Sequence, residues 1–189
     1  FYVNSLIAIF IGFFMDSSVP AGLCMAFYKG TRPMPAGVYN MLGRKLDHGP
    51  YSHSELILPQ SYNRISCSSS FIDGGVRMKD IGYSSVGAWD FLPIPDPDGN
   101  LAGFAYAWTV KYNSCRYDLW GNLRFATNFV SDDDASWFCT ESNMAMLGYP
   151  QAEAFRYGPS HAAVTLAWHF NTKLVIVNAP TSAPVKTEN

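Results

Sequence analysis

Apolar and polar positions follow two different periods along the chain, and the change between them falls near residue 101. Before it, short apolar runs broken by Gly, Pro and Asp predict strands. Residues 25–28 (MAFY), ended by Lys29 and Gly30, predict a first strand. Residues 36–46 (AGVYNMLGRKL) carry apolar side chains at helical spacing, and Gly49-Pro50 closes that segment. Residues 52–58 (SHSELIL) predict a strand that Pro59 ends, and 64–71 (RISCSSSF) predict another before an Asp73-Gly74-Gly75 turn. Residues 76–81 (VRMKDI) and 89–94 (WDFLPI) complete the strand group, followed by a Pro/Asp/Gly turn at 95–100.

After residue 100 the spacing becomes helical, over 101–113 and again over 117–127 (YDLWGNLRFAT). An acidic loop at 131–134 precedes a predicted helix over 136–147, with Ser136 as N-cap and Gly148-Tyr149-Pro150 as stop. Residues 151–169 carry no clear period. One early helix, then strands, then helices is an α+β order. It predicts an antiparallel sheet built from residues within 52–94, with the 136–147 helix packed on one face. The expected division is an apolar N-terminal extension (1–24), one domain (25–170) and an irregular C-terminal tail (171–189).

Residues 1–15 (FYVNSLIAIFIGFFM) are almost purely apolar, with no charge before Asp16. The basic start of a secretory signal is missing, and the run is short against the roughly 20 residues of a membrane span. The expectation is a segment buried against the domain or against protein subunits of a larger assembly, in preference to a membrane anchor. Aromatic residues make up 15% of the 189 and charged residues only 15%, which fits a domain accustomed to contact with other surfaces. A net charge of −2 with scattered basic residues argues against nucleic acid, which requires clustered Lys and Arg.

The four cysteines, Cys24, Cys67, Cys115 and Cys139, form no CxxC pair and have no His at zinc-finger spacing, so neither a metal nor another cofactor is expected. Cys139 falls in the first turn of a predicted helix. There the backbone N–H groups and helix dipole stabilise a thiolate and offer donors to a developing oxyanion. His53, at the start of a strand between two small serines, is aimed as a general base requires. Glu55 shares its strand face and is placed to orient the imidazole or line the cleft. The bland alternatives are a buried structural Cys and a hydrogen-bonded surface His. His48, His161 and His169 have no comparable setting.

The segments GPYSHSEL at 49–56 and WFCTE at 137–141 resemble the circularly permuted branch of the NlpC-type papain-like cysteine hydrolases, in which a strand-borne His precedes a helix-borne Cys. That pattern also carries Tyr-Asp ahead of Cys-Ser-Glu; here it reads Tyr117-Asp118, then Cys139-Thr140-Glu141, with Thr in place of Ser. AFYKG at 26–30, SSSFIDGGVRMK at 68–79 and WDF at 89–91 extend the resemblance to small proteins encoded by tailed phages. It covers about residues 25–150.

The resemblance implies a permuted papain-like fold and hydrolysis of amide bonds in cell-wall peptides, with Cys139 as nucleophile and His53 as base. Tyr117, Asp118 and Glu141 are expected to support the oxyanion or the cleft, and Asp118 alternatively to cap the helix after it. The third polar member of the triad stays open. Two other functions fit the same pattern: a non-catalytic virion structural or assembly protein that retains the fold, and a thiol acyltransferase acting on lipids. A virion-associated location is favoured over a bacterial cytoplasm or envelope.

Overall fold

The computed structural model describes residues 19–33, 36–83, 87–119 and 136–178. Its first strand, β1 (Cys24–Tyr28), is apolar at every position and wholly buried, as a central strand covered on both faces must be. Helix α1 (Ala36–Leu46) follows, then β2 (His53–Ile57), a 3₁₀ turn at Gln60–Tyr62, β3 (Ser66–Ser70), β4 (Gly75–Lys79) and β5 (Trp89–Pro93). Helix α2 (Asn100–Tyr112), β6 (Arg116–Tyr117), β7 (Ser136–Trp137), α3 (Cys139–Met146), α4 (Gln151–Ala154) and α5 (Pro159–His169) complete the described elements. The sheet runs β5-β1-β2-β3-β4-β6-β7, antiparallel throughout except for the parallel β6-β7 pair. The fold is therefore α+β, as the order of periods predicts.

Strand alternation sorts the core into two layers. Met25 and Phe27 of β1, Leu56 of β2 and Cys67 of β3 face the main core with Ala102 and Ala105 of α2, Met144 and Met146 of α3, and Leu166 of α5. Cys24, Ala26 and Tyr28 face the other way, with Ile57, Tyr83, Trp89 and Phe91. Helix α3 packs over β2 and β3, the placement expected for the 136–147 segment.

Several boundaries differ from the sequence reading. Ser136 does not cap the Cys-bearing helix: it pairs in β7, and extended Phe138 (ψ 171°) is the residue before α3. Tyr117 lies in a strand, not in a helix over 117–127, and residues from 120 lie outside the described set, as do the acidic loop at 131–134 and the extension before residue 19. Leu23 is buried in the core, so ordered packing starts ahead of residue 25. Residues 171–178 are not a loose tail. Val175 bridges Phe91 on the free edge of β5, and the Val177 N–H donates to Asp90 at 2.9 Å. Residues 151–169 form two helices. The N–H of Ser160, in the first turn of α5, donates to Asp47 Oδ2 at 2.5 Å, so a carboxylate beyond the end of α1 caps this helix.

Candidate active site

The ladder between β2 and β3 consists of Leu56↔Cys67 and Ile57↔Ser66. Beyond it the strands are joined through side chains, and the start of α3 packs where they part. Ser68 Oγ donates to the Ser54 carbonyl at 2.8 Å, the Ser69 N–H donates to Ser142 Oγ at 3.0 Å, and Ser69 Oγ donates to the Trp137 carbonyl at 2.6 Å. Ser54 Oγ sits 3.1 Å from Thr140 Oγ1 and accepts from Asn143 Nδ2 at 3.0 Å. These small hydroxyl residues help a helix carrying Thr, Glu, Ser and Asn in its first five positions to be buried: Thr140, Ser142 and Asn143 each meet a partner on β2 or β3. The result fixes the N-terminus of α3 against the beginning of β2.

Cys139, the first residue of α3, and His53, the first residue of β2, are brought together there, close enough for each to shift the other's pKa. His53 Nε2 lies 2.7 Å from Glu55 Oε1, which leaves Nδ1 as the nitrogen for the thiol. Both strand residues are buried, and the edge of Trp89 packs on the imidazole with ring centroids 6.3 Å apart. Cys139 is only 2% exposed.

Glu55 does not stand alone. Arg77 Nη1 donates to its Oε2 at 2.6 Å and Nη2 to its Oε1 at 2.5 Å, a bidentate pair on the same face of the sheet. The register explains the reach. Ser68 pairs with Arg77, and one step beyond Leu56↔Cys67 places Glu55 across from Ser68. The small Ser68 therefore lets the long arginine cross β3. Arg77 Nε in turn donates to Asp73 Oδ2 at 2.9 Å, and Lys79 to Asp73 Oδ1 at 2.8 Å. The sequence reading assigned no role to Arg77 or Asp73; only the alternation of VRMK, which puts Arg77 and Lys79 on one face, pointed toward them.

The electrostatics follow from this chain of charges. Burial penalises the carboxylate of Glu55, but hydrogen bonds from Arg77 and the charges of His53 and Arg77 overcome it and lower the pKa to about 2. Burial likewise opposes a charged His53, yet the thiolate and Glu55 raise its pKa to about 9. For Cys139 burial raises the pKa, and the adjacent imidazolium, aided by the Ser54 backbone and Thr140, brings it below the ordinary thiol value. The two groups titrate as a pair, and both shifts run in the direction that favours the proton on the imidazole and the negative charge on sulfur. Stability from Glu55 is present above its ordinary pKa of 4.5 and is lost as pH falls toward 2. Stability from charged His53 is full below 6.5 and is lost as pH rises through about 9.

A cleft opens beside His53. Its lining is polar at Arg32, Asn40, Ser52 and Ser70 and also includes Phe71, Ile72 and Tyr117. Tyr117 thus reaches the cleft wall, its ring 5.8 Å from that of Phe71. Asp118 is buried just beyond it and donates its N–H to the Trp137 carbonyl at 3.1 Å, tying β6 to the approach of α3. Glu141 takes a different part from the one expected. Its Oε2 accepts the Phe138 N–H at 3.2 Å, so this fully buried side chain caps the start of α3.

Among the described residues no group of His, Cys, Asp and Glu is arranged to hold a metal, and no helix is long and apolar enough to cross a membrane. The other three cysteines are free thiols, two of them buried in the core with pKa values pushed up to about 12 (Cys24) and about 11 (Cys67) by desolvation. No protein-family model matches the chain, and no curated protein sequence matches it.

Proposed function

We propose that the protein is a cysteine hydrolase of amide bonds, with Cys139 as nucleophile, His53 as proton carrier and Glu55 as the group that orients the imidazole. The observation that carries this reading is a buried helix-start thiol beside a strand-start histidine, each shifting the other's pKa, with the imidazole Nε2 held by a buried carboxylate at 2.7 Å. The thiolate attacks the amide carbon and forms a C–S bond. The tetrahedral oxyanion faces the first N–H groups of α3. His53 then gives its proton to the amine as the C–N bond breaks, leaving a thioester. Water, deprotonated by neutral His53, releases the carboxylic acid and restores the thiol. Glu55 acts as the third member, because its carboxylate accepts from Nε2 and favours the imidazolium.

Cell-wall peptides are the substrate class that the permuted papain-like resemblance favours, and a cleft lined by both polar and apolar side chains suits a peptide better than a lipid chain. Carriage in a virion is a compatible second reading. Val164 and Trp168, one turn apart on α5, are 72% and 83% exposed, an apolar face suited to packing inside an assembly. The test is digestion of purified cell-wall stem peptides in ¹⁸O water, read by mass spectrometry. The hydrolase reading predicts a new amine and a carboxylic acid carrying the heavy oxygen. Intact peptides, with the protein folded and Cys139 reduced, contradict it.

A further inference from the structure

The cleft lined by His53 has a cation in its lining, and the surrounding structure holds that cation ready. Arg32 lines the cleft with His53, and its guanidinium carbon lies 5.1 Å from the centroid of the Tyr28 ring. Its loop is fixed by a second arginine. Arg44 of α1 donates through Nη1 to the carbonyls of Lys29 (3.2 Å) and Gly30 (2.7 Å), and through Nη2 to Thr31 Oγ1 at 3.0 Å. The Arg32 N–H donates to Asn40 Oδ1 at 3.4 Å, and Asn40 itself donates to Ser52 Oγ at 3.0 Å, directly before His53.

Three other cations near the sheet are engaged. Lys29 pairs with Asp90, Arg77 with Glu55 and Asp73, and Lys79 with Asp73. Arg32 has no carboxylate partner among the described residues. A clamped loop and a ring platform reduce the freedom a bound anion must remove, and the planar fork of a guanidinium matches a carboxylate.

We infer that Arg32 is a specificity-determining residue that binds a carboxylate of the substrate next to the scissile amide. Phe71, Ile72 and Tyr117 of the same lining then receive the apolar part of the chain. The inference rests on the thiol-hydrolase reading and narrows its substrates to acidic peptides.

Two alkylating reagents of nearly equal size test it without requiring turnover. Iodoacetate carries the carboxylate and iodoacetamide does not; both transfer their carbon to the Cys139 thiolate with loss of iodide. The rate at Cys139 is measured for each by peptide mapping, in the unmodified protein, Arg32→Gln and Arg32→Lys. The expected result is a preference for iodoacetate that weakens with added salt and falls about three- to tenfold in Arg32→Gln relative to iodoacetamide. Arg32→Lys keeps part of it. An iodoacetate to iodoacetamide ratio unchanged by Arg32→Gln overturns the role of Arg32 while leaving the reactive thiol intact. Failure of Cys139 to react with either reagent overturns both. Unchanged circular dichroism of the variants confirms that the fold is retained.

Discussion

Replacing Cys139 by Ala removes amide hydrolysis, with a loss of at least about 10⁴-fold in kcat/KM. The two other buried thiols cannot take its place. Cys24 and Cys67 are locked in the core with pKa values far above neutrality, and neither adjoins an imidazole. His53→Ala costs about 10²–10⁴-fold, because the thiol then loses both its proton acceptor and the charge that lowers its pKa. The two losses are not additive, since each removes the same ion pair. Assays of both variants and of the double variant check this. A Cys139→Ala protein that still cleaves peptide at more than a few per cent of the normal rate rules out covalent catalysis by this residue.

Arg77→Met destabilises the fold by about 3–5 kcal/mol, the cost of leaving a buried carboxylate without its partner. Glu55 is 1% exposed and receives both terminal nitrogens of Arg77. His53 remains beside it, but one imidazolium cannot replace a bidentate guanidinium. Adding Glu55→Gln to Arg77→Met recovers much of the loss, since the stranded charge is gone. The pH dependence identifies the mechanism. With Arg77 absent, the Glu55 pKa rises from about 2, so acid unfolding begins at higher pH in Arg77→Met than in the unmodified protein. Denaturant unfolding at neutral and mildly acidic pH measures both effects. Equal stability of Arg77→Met and the unmodified protein contradicts the role given to this pair.

How legible these features were depends on how local their causes are. The strands were readable because CMAFY and HSELI are apolar or tightly bounded segments, and Pro59 and Gly74-Gly75 mark their ends. Cys139, His53 and Glu55 were readable because a helix start and a strand start are local chemical settings. Arg77 was not, because its role depends on sheet register: Glu55 is 22 positions away, and only the pairing through Ser68 brings the two together. The α5 segment was obscure for the same reason. Its N-terminal donor bonds Asp47, 113 residues earlier, so no nearby residue announces the cap. Glu141 was misread because a carboxylate two residues after the nucleophile serves equally well as cap or as cleft group. Only its bond to the Phe138 N–H decides. Residues 171–178 lacked a strand pattern of their own and acquire order from the edge of β5.

The central claim is that Cys139 and His53 form a thiolate–imidazolium pair, and the pH dependence of alkylation at Cys139 tests it most directly. Iodoacetamide incorporation is followed by peptide mapping from acidic to alkaline pH, in the unmodified protein and in His53→Ala. The account predicts that the rate in the unmodified protein reaches its plateau at a lower pH than an ordinary thiol's. In His53→Ala the plateau disappears and the rate climbs with pH, as for a thiol that has lost its counter-charge. A Cys139 that in the unmodified protein still gains reactivity through its ordinary value of 9.0, with His53→Ala indistinguishable from it, contradicts the pair and the function proposed from it.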